Sequence, residues 1–292
     1  MMMDQMTISL ATCQVWEPST IQEAITLKGQ FQDEASYIAG GSLLQLQWES
    51  GSKRADKHLI SLKNIKELQG IQLEFDDEKE VLSIGSLTSL ATLRRHPIVK
   101  HEMACMSDAV QHIGSPSVRN LGTIGGNIFG KIGDLIPLLL VLDSELILHS
   151  NSSCQKETIK NWHQRKENRE ADLLSRIKIP IMSNKPQYFY KKIGRREAFI
   201  PATVTVAGCT ACNQKDEITH VRLAVGGGEN NPTRLEMTEN ILKGTKKTEI
   251  DWNKVYKTIL LEFPAIQDAY VSAAYRKKVA ANLMISQLQE IK

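Results

Sequence analysis

The sequence predicts a mixed α+β protein made of more than one compact unit. Short β-branched runs alternate with helical stretches along the chain, glycine-rich turns punctuate them, and 292 residues exceed what one small core holds. With 41% hydrophobic and 24% charged residues the composition is that of an ordinary globular protein, neither disordered nor fibrous.

The elements follow in order. After Pro18, "STIQEAITL" places Ser19 as an N-cap with Gln22 three residues on and Ile21, Ala24 and Ile25 on one face, the start of an amphipathic helix. "SYIAGGSLL" reads as a strand through Tyr37, Ile38 and Ala39 that runs straight into Gly40, Gly41 and Ser42. A glycine pair at a strand end lets successive N–H groups converge on an anion, and it equally makes a tight turn with no ligand. That stretch alone supports both readings. "LISLKNIKELQGIQ" and "VLSIGSLTSLATLRRHP" give short strands and a helix from Ser89 onward, and "MACMSDAVQHIG" gives a helix ending at Gly114. The run "RNLGTIGGNIFG", Arg119 to Gly130, is dense in glycine, which is costly to order and marks a turn or a close approach of backbone to something else. "GDLIPLLLVLDSELILHS" sets Asp134 ahead of an apolar helix starting near Pro137, then a strand from Glu145 to His149. "NSSCQKETIKNWHQRKENRE" reads as a polar surface excursion. From about Lys185 a second unit begins, with antiparallel strands followed by helices and with Val271, Ala274, Val279 and Leu283 suited to a buried face.

Several function classes are excluded at this level. No apolar run reaches the roughly 18 residues of a membrane span, and "MMMDQMTISL" lacks the pattern of a signal peptide, so a cytoplasmic protein with no membrane partner is expected. A net charge of +3, with no Lys/Arg run interleaved with aromatics, argues against nucleic acid. Cys13, Cys105, Cys154, Cys209 and Cys212 form no disulfide framework. The C-x-x-C of Cys209 and Cys212 lies in a strand-like stretch without a second pair, so neither a metal site nor an iron–sulfur cluster is expected. His96, His101 and His112 read as core or surface residues.

The order and spacing of "YIAGGSLL", "IGSPSVRNLGTIGGNI", "GDLIPLLLVLDSEL", "YKKIGRREAFIPATVTVA", "VRLAVGGGENNPTR" and "SAAYRKKVAANL" resemble the FAD-binding medium subunit of molybdenum hydroxylases, the group containing xanthine dehydrogenase and aerobic carbon monoxide dehydrogenase. The resemblance covers nearly the whole chain. It implies a PCMH-type FAD-binding domain of two subdomains over residues 1–178 and a smaller α+β domain over 185–292. It implies FAD held by two glycine-rich loops: Ala39, Gly40, Gly41, Ser42 and Leu43 in the first, Thr123, Gly125, Gly126, Asn127 and Ile128 in the second. Gly122 is then a turn residue, Asp134 reaches toward the adenosine ribose or caps the following helix, and Lys191 approaches the isoalloxazine, where a cation stabilises reduced flavin. Gly226 to Gly228 serve a turn, and Tyr275 and Arg276 packing or docking.

The same resemblance implies a large molybdenum-cofactor subunit that hydroxylates the substrate, a small [2Fe–2S] subunit that conducts electrons, and NAD+ or oxygen as final acceptor. No side chain here need act as acid or base. A purine dehydrogenase is the preferred setting. One departure stands out: "IFGKIG" is shorter than the Ser-Pro-containing stretch of the family and carries Phe129 and Lys131 where small residues are expected. It leaves open a flavin-free assembly subunit. A stand-alone reductase forming UDP-N-acetylmuramate shares the first loop, but its substrate arginine, serine acid and glutamate are not found.

Overall fold

The computed structural model describes residues 13–130, 133–150, 153–165, 172–184, 186–194 and 202–290. The candidate start residues Met1, Met2, Met3 and Met6, together with Lys131, Arg195 and Arg196, lie outside the described residues. The first unit runs β1 (Gln14–Trp16), α1 (Ile21–Phe31), β2 (Ala35–Ile38), α2 (Ser42–Glu49) and β3 (His58–Ser61). Its strands form a parallel sheet in the order β1-β3-β2, with Ile38 opposite Ser61 at the end from which the first glycine loop leaves. Helix α1 buries Ala24 and Ile25 on this sheet, as its periodicity predicts. Its cap differs from expectation: Thr20, not Ser19, accepts the Glu23 N–H at 3.1 Å, while Glu23 reaches back to the Ser19 N–H at 2.8 Å. The capping box is therefore shifted by one residue.

A second group follows: β4 (Ile71–Asp76), β5 (Lys79–Gly85), α3 (Leu90–Arg95), α4 (Pro97–Glu102), α5 (Ala104–Gln111), α6 (Pro116–Leu121), α7 (Ile124–Phe129), α8 (Ile136–Val141), β6 (Glu145–His149), β7 (Cys154–Thr158), α9 (Ile159–Gln164) and β8 (Leu173–Pro180). The antiparallel sheet has the order β4-β5-β8-β6-β7, and β8, returning late in sequence, lies at its centre. The polar excursion after Ser150 is a correction, since it holds β7 and α9 and buries Trp162 in the main core. Ile159 and Trp162, three residues apart on this short helix, are buried together, too brief an apolar pattern for periodicity to reveal.

The last group is β9 (Gln187–Ile193), β10 (Val204–Cys212), β11 (Ile218–Gly227), β12 (Asn230–Arg234), α10 (Glu236–Leu242), α11 (Trp252–Glu262) and α12 (Ala273–Gln289), with antiparallel sheet order β12-β11-β10-β9. Strand alternation divides this sheet between two cores. Ala207, Cys209 and Ala224 join the main core beneath α8, whereas Val206, Leu223 and Val225 pack under α11 and α12. Cys209 and Cys212 thus belong to different cores, and no cluster of metal-ligating side chains exists among the described residues. On α12 the buried stripe is Arg276, Ala280, Ala281, Met284 and Leu288; of the expected face Val279 and Leu283 are half-buried against the same core and Ala274 is exposed, so that face is off by part of a turn. Arg276 packs under the turn after β11, donating to Thr203 O at 2.8 Å and pairing with Asp268, whereas Tyr275 is exposed. Arg222 and Arg234 both pair with Asp143, beyond α8, and tie this sheet to the preceding group.

Candidate functional site

The first loop leaves β2 at Ile38 and enters α2 at Ser42. Gly41 takes φ +68°, a left-handed conformation natural to glycine, and is the N-cap of α2 without any side-chain capping bond. The consequence lies in the backbone amides. Among the described residues, the N–H groups from Gly40 through Gly41, Ser42 and Leu43 to Leu44 meet no acceptor, and no acidic side chain stands in the first turn of α2. Ala39 to Leu43 are half-buried. An array of unpaired donors on a loop leading into a helix N-terminus favours an anion through both hydrogen bonds and the helix dipole.

The second loop is in contact with the first. A Cβ on Gly40 would collide with the Leu121 carbonyl, one on Gly122 would lie 3.3 Å from Ser42 Oγ, and one on Gly130 would lie 2.6 Å from Leu43 Cδ2. At Gly40, where the neighbour is backbone, only glycine permits this approach. Yet the amides of the second loop are engaged within the chain: Gly122 N donates to Val118 O at 2.7 Å, Ile124 N to Thr88 O at 3.0 Å, Gly125 N to Ser86 O at 2.9 Å and Asn127 N to Thr123 O at 3.0 Å. Thr123 is the N-cap of α7, its Oγ1 accepting from Gly126 N at 3.0 Å, which leaves its hydroxyl hydrogen to be donated elsewhere. Asn127 Oδ1 accepts from Leu135 N at 3.1 Å and leaves its amide NH2 available. Gly125 and Ile128 are buried, with Ile128 a core side chain, whereas Gly126 is exposed and Asn127 half-buried. The structure therefore brings both predicted loops together and divides their work: the first presents donors, the second supplies a floor.

Asp134 follows the second loop and is 9% exposed. It does not cap α8, whose N-cap is Leu135 with no side-chain bond. Its Oδ2 instead meets Lys192 Nζ at 2.6 Å, and Lys192 also donates to His112 O at 3.0 Å. Burial pushes the Asp134 carboxyl above the usual carboxylate range, against the pull of Lys192. Tyr190 OH donates to Asp134 O at 3.1 Å. Lys192 is the residue that sequence reasoning missed as the partner of Asp134. Alternation along β9 decides it: Lys192 shares a face with buried Tyr190 and points to Asp134, and Lys191 is exposed on the opposite face. The buried tyrosine two residues earlier was the available signal. His101 does stand beside a carboxylate, Glu102 at 2.6 Å, but as an exposed neighbour pair on α4.

This donor set suits a diphosphate, because the amides from Gly40 to Leu44 can bond its oxygens with no side chain in the way and with no competing acid in the helix turn. FAD carries that group, and the residues present fit it.

Comparison with known proteins agrees. Residues 11–182 match the family described as FAD binding domain in molybdopterin dehydrogenase, and residues 188–291 match the CO dehydrogenase flavoprotein C-terminal domain. The chain is 32% identical to the nicotinate dehydrogenase FAD-subunit of Eubacterium barkeri over 46% of this chain and 44% of that one, so this match spans less than half the relative's length. It is 27% identical to the carbon monoxide dehydrogenase medium chain of Hydrogenophaga pseudoflava over 71% of this chain and 72% of that one. It is 28% identical to the putative xanthine dehydrogenase FAD-binding subunit XdhB of Escherichia coli K12 over 76% of each. Carbon monoxide dehydrogenase from Hydrogenophaga pseudoflava shares the fold, with a TM-score of 0.85 and 22% identity over 96% of both chains. No helix among the described residues is long and apolar enough to cross a membrane. With its matched N-terminal domain covering more than half its length, the chain belongs to the FAD-binding family of the molybdopterin dehydrogenases and is a flavoprotein medium subunit of molybdenum hydroxylase type.

Proposed function

We propose that this chain is the electron-relay subunit of a purine-type molybdenum hydroxylase, working beside a large molybdenum-cofactor subunit and a small [2Fe–2S] subunit and passing electrons to NAD+ or oxygen. The observation that carries the reading is the run of amides from Gly40 to Leu44, which meet no acceptor among the described residues and are locked against the second loop. When bound, FAD supplies the exchange between one-electron and two-electron transfer. The chain's own residues bind and orient. The first loop takes the diphosphate, and the Asn127 NH2 and Thr123 hydroxyl face the next part of the cofactor. The Asp134–Lys192 pair fixes the wall behind them, so that Asp134 accepts from the ribose only while it also holds Lys192. Domain limits of 1–178 and 185–292 place the boundary from the last two residues of β8 to just before β9.

The purine assignment is supported by the xanthine-type relative, against a carbon monoxide-type relative of nearly equal similarity. The absorption spectrum of the purified chain, with the released cofactor identified after denaturation, tests the binding reading. Flavin bands and released FAD support it. A folded, colourless chain that takes up no added FAD is a flavin-free assembly subunit, and the relay reading fails. Assays of the purified complex with hypoxanthine and with carbon monoxide then decide the substrate.

A further inference from the structure

Helices α3 and α6 frame the second glycine loop, and the flavin reading uses neither of their outer faces. The Leu90 N–H, at the start of α3, donates to Gly122 O at 2.8 Å, and Ser89 bridges to Thr123. The Leu121 carbonyl, at the end of α6, is the atom against which Gly40 packs. Neither helix contains an acidic residue, and between them they carry Arg94, Arg95 and Arg119. Arg119 is half-buried, and its NH1 donates to Ile113 O at 3.0 Å and Gly114 O at 2.6 Å, which fixes it against the turn that ends α5. Its Nε and NH2 meet no acceptor among the described residues, and none of the three arginines has a carboxylate within ion-pair distance there. Glu102 on α4 is taken by His101, and Asp108 on α5 pairs with none of the three. Burial, and then the charges of Arg94 and Arg95, pull the Arg119 guanidinium below its ordinary value, so the three cations act on one another uncompensated.

On the same helix α6, Leu121 is 61% exposed and Val118 38%. A face rich in arginine, free of acids and carrying large apolar side chains in water has the composition of a protein interface rather than of an ordinary charged surface. Two features choose what covers it. Uncompensated positive charge calls for an acidic surface. The face also adjoins the glycine loops, so its partner comes next to the flavin, and in the relay proposed above the protein that must come that close is the electron donor. We infer that α3 and α6 form the docking surface for an acidic face of the small [2Fe–2S] subunit, with Leu121 and Val118 at the contact and Arg94, Arg95 and Arg119 paired with its carboxylates. The choice of this subunit rests on the relay reading; the composition of the face does not.

Calorimetric titration of the FAD-loaded full chain with the purified small [2Fe–2S] subunit, and in parallel with the large subunit, tests this. Saturable binding of the small subunit is expected, weakened at least ~10-fold by Arg95→Glu and by Leu121→Ser and restored by Arg95→Lys. Higher salt is expected to weaken the wild-type pair more than the Arg95→Glu pair, because a charge contact is screened. Arg119 is left in place because it holds the turn after α5. The flavin-to-protein ratio of each variant separates a damaged cradle from lost docking, and Arg95, exposed on α3, keeps the test available should Leu121→Ser lose flavin. Small-subunit affinity unchanged in Arg95→Glu overturns the inference, as does an effect of both variants on the large subunit alone. A yellow wild-type chain that does not bind the small subunit overturns it too, whereas a wild-type chain that takes up no FAD fails the relay reading itself.

Discussion

The two glycine-rich loops look alike in sequence and do opposite things with their backbones. Around Gly40 and Gly41 the N–H groups meet no acceptor among the described residues; around Gly125 and Gly126 they are engaged by Ser86 and Thr123. Glycine in the first loop permits a left-handed turn that exposes donors, and glycine in the second permits backbone to lie against backbone. Glycine density reports close approach. Whether the approaching partner is a ligand or the protein itself depends on where the amides point.

That contrast can be broken or sharpened by substitution. The largest effect is expected at the end of the second loop, where Lys192→Met leaves the Asp134 carboxylate buried without its cation, at a cost of about 3–5 kcal/mol in urea unfolding near neutral pH. Burial already raises this carboxyl, and losing Lys192 raises it further. A group whose folded pKa lies above its unfolded value contributes stability at low pH and loses it as pH rises through the folded pKa. The variant's deficit should therefore shrink on mild acidification; a deficit independent of pH would show that Asp134 is not the group left unpaired.

Gly40→Ala comes next. Its Cβ meets the Leu121 carbonyl, a backbone atom that cannot swing away, so the loops must part at about 1–3 kcal/mol and most of the FAD should be lost. Thermal melts and flavin-to-protein ratios measure the two losses, and retention of a full flavin complement would break the idea that contact between the loops shapes the cradle. Ser42→Asp separates stability from binding by sign. A carboxylate in the first turn of α2 should stabilise the FAD-free chain by about 0.3–1 kcal/mol while weakening FAD at least ~10-fold. Thr123→Val is the mildest: loss of the α7 cap costs about 1 kcal/mol in a thermal melt, and loss of its one hydroxyl donor weakens FAD by less than the ~10-fold expected of Ser42→Asp. If its FAD titration falls as far as that of Ser42→Asp, the division of labour between the loops is wrong.

Much of this was legible in advance. Strand Glu145 to His149, the helix start at Ser89 and the turn after β11 follow from local pattern and local chemistry. Trp162 and the partner of Asp134 were not legible, because each depends on a contact across many residues of sequence. That Lys192 and not Lys191 turns to Asp134 was not legible either, since a strand sends adjacent side chains to opposite faces and only packing decides which face is inward.

By itself the sequence determined the mixed α+β class, the two glycine loops and the family to which they belong, because these rest on short-range backbone chemistry and on the order of local motifs. Tertiary structure alone decided which loop keeps its amides unpaired, which lysine holds Asp134, and that α3 and α6 lie together beside the second loop. Hydrogen-bond partners and shared surfaces arise when distant segments pack, and no local pattern encodes the direction in which an amide or a side chain then points.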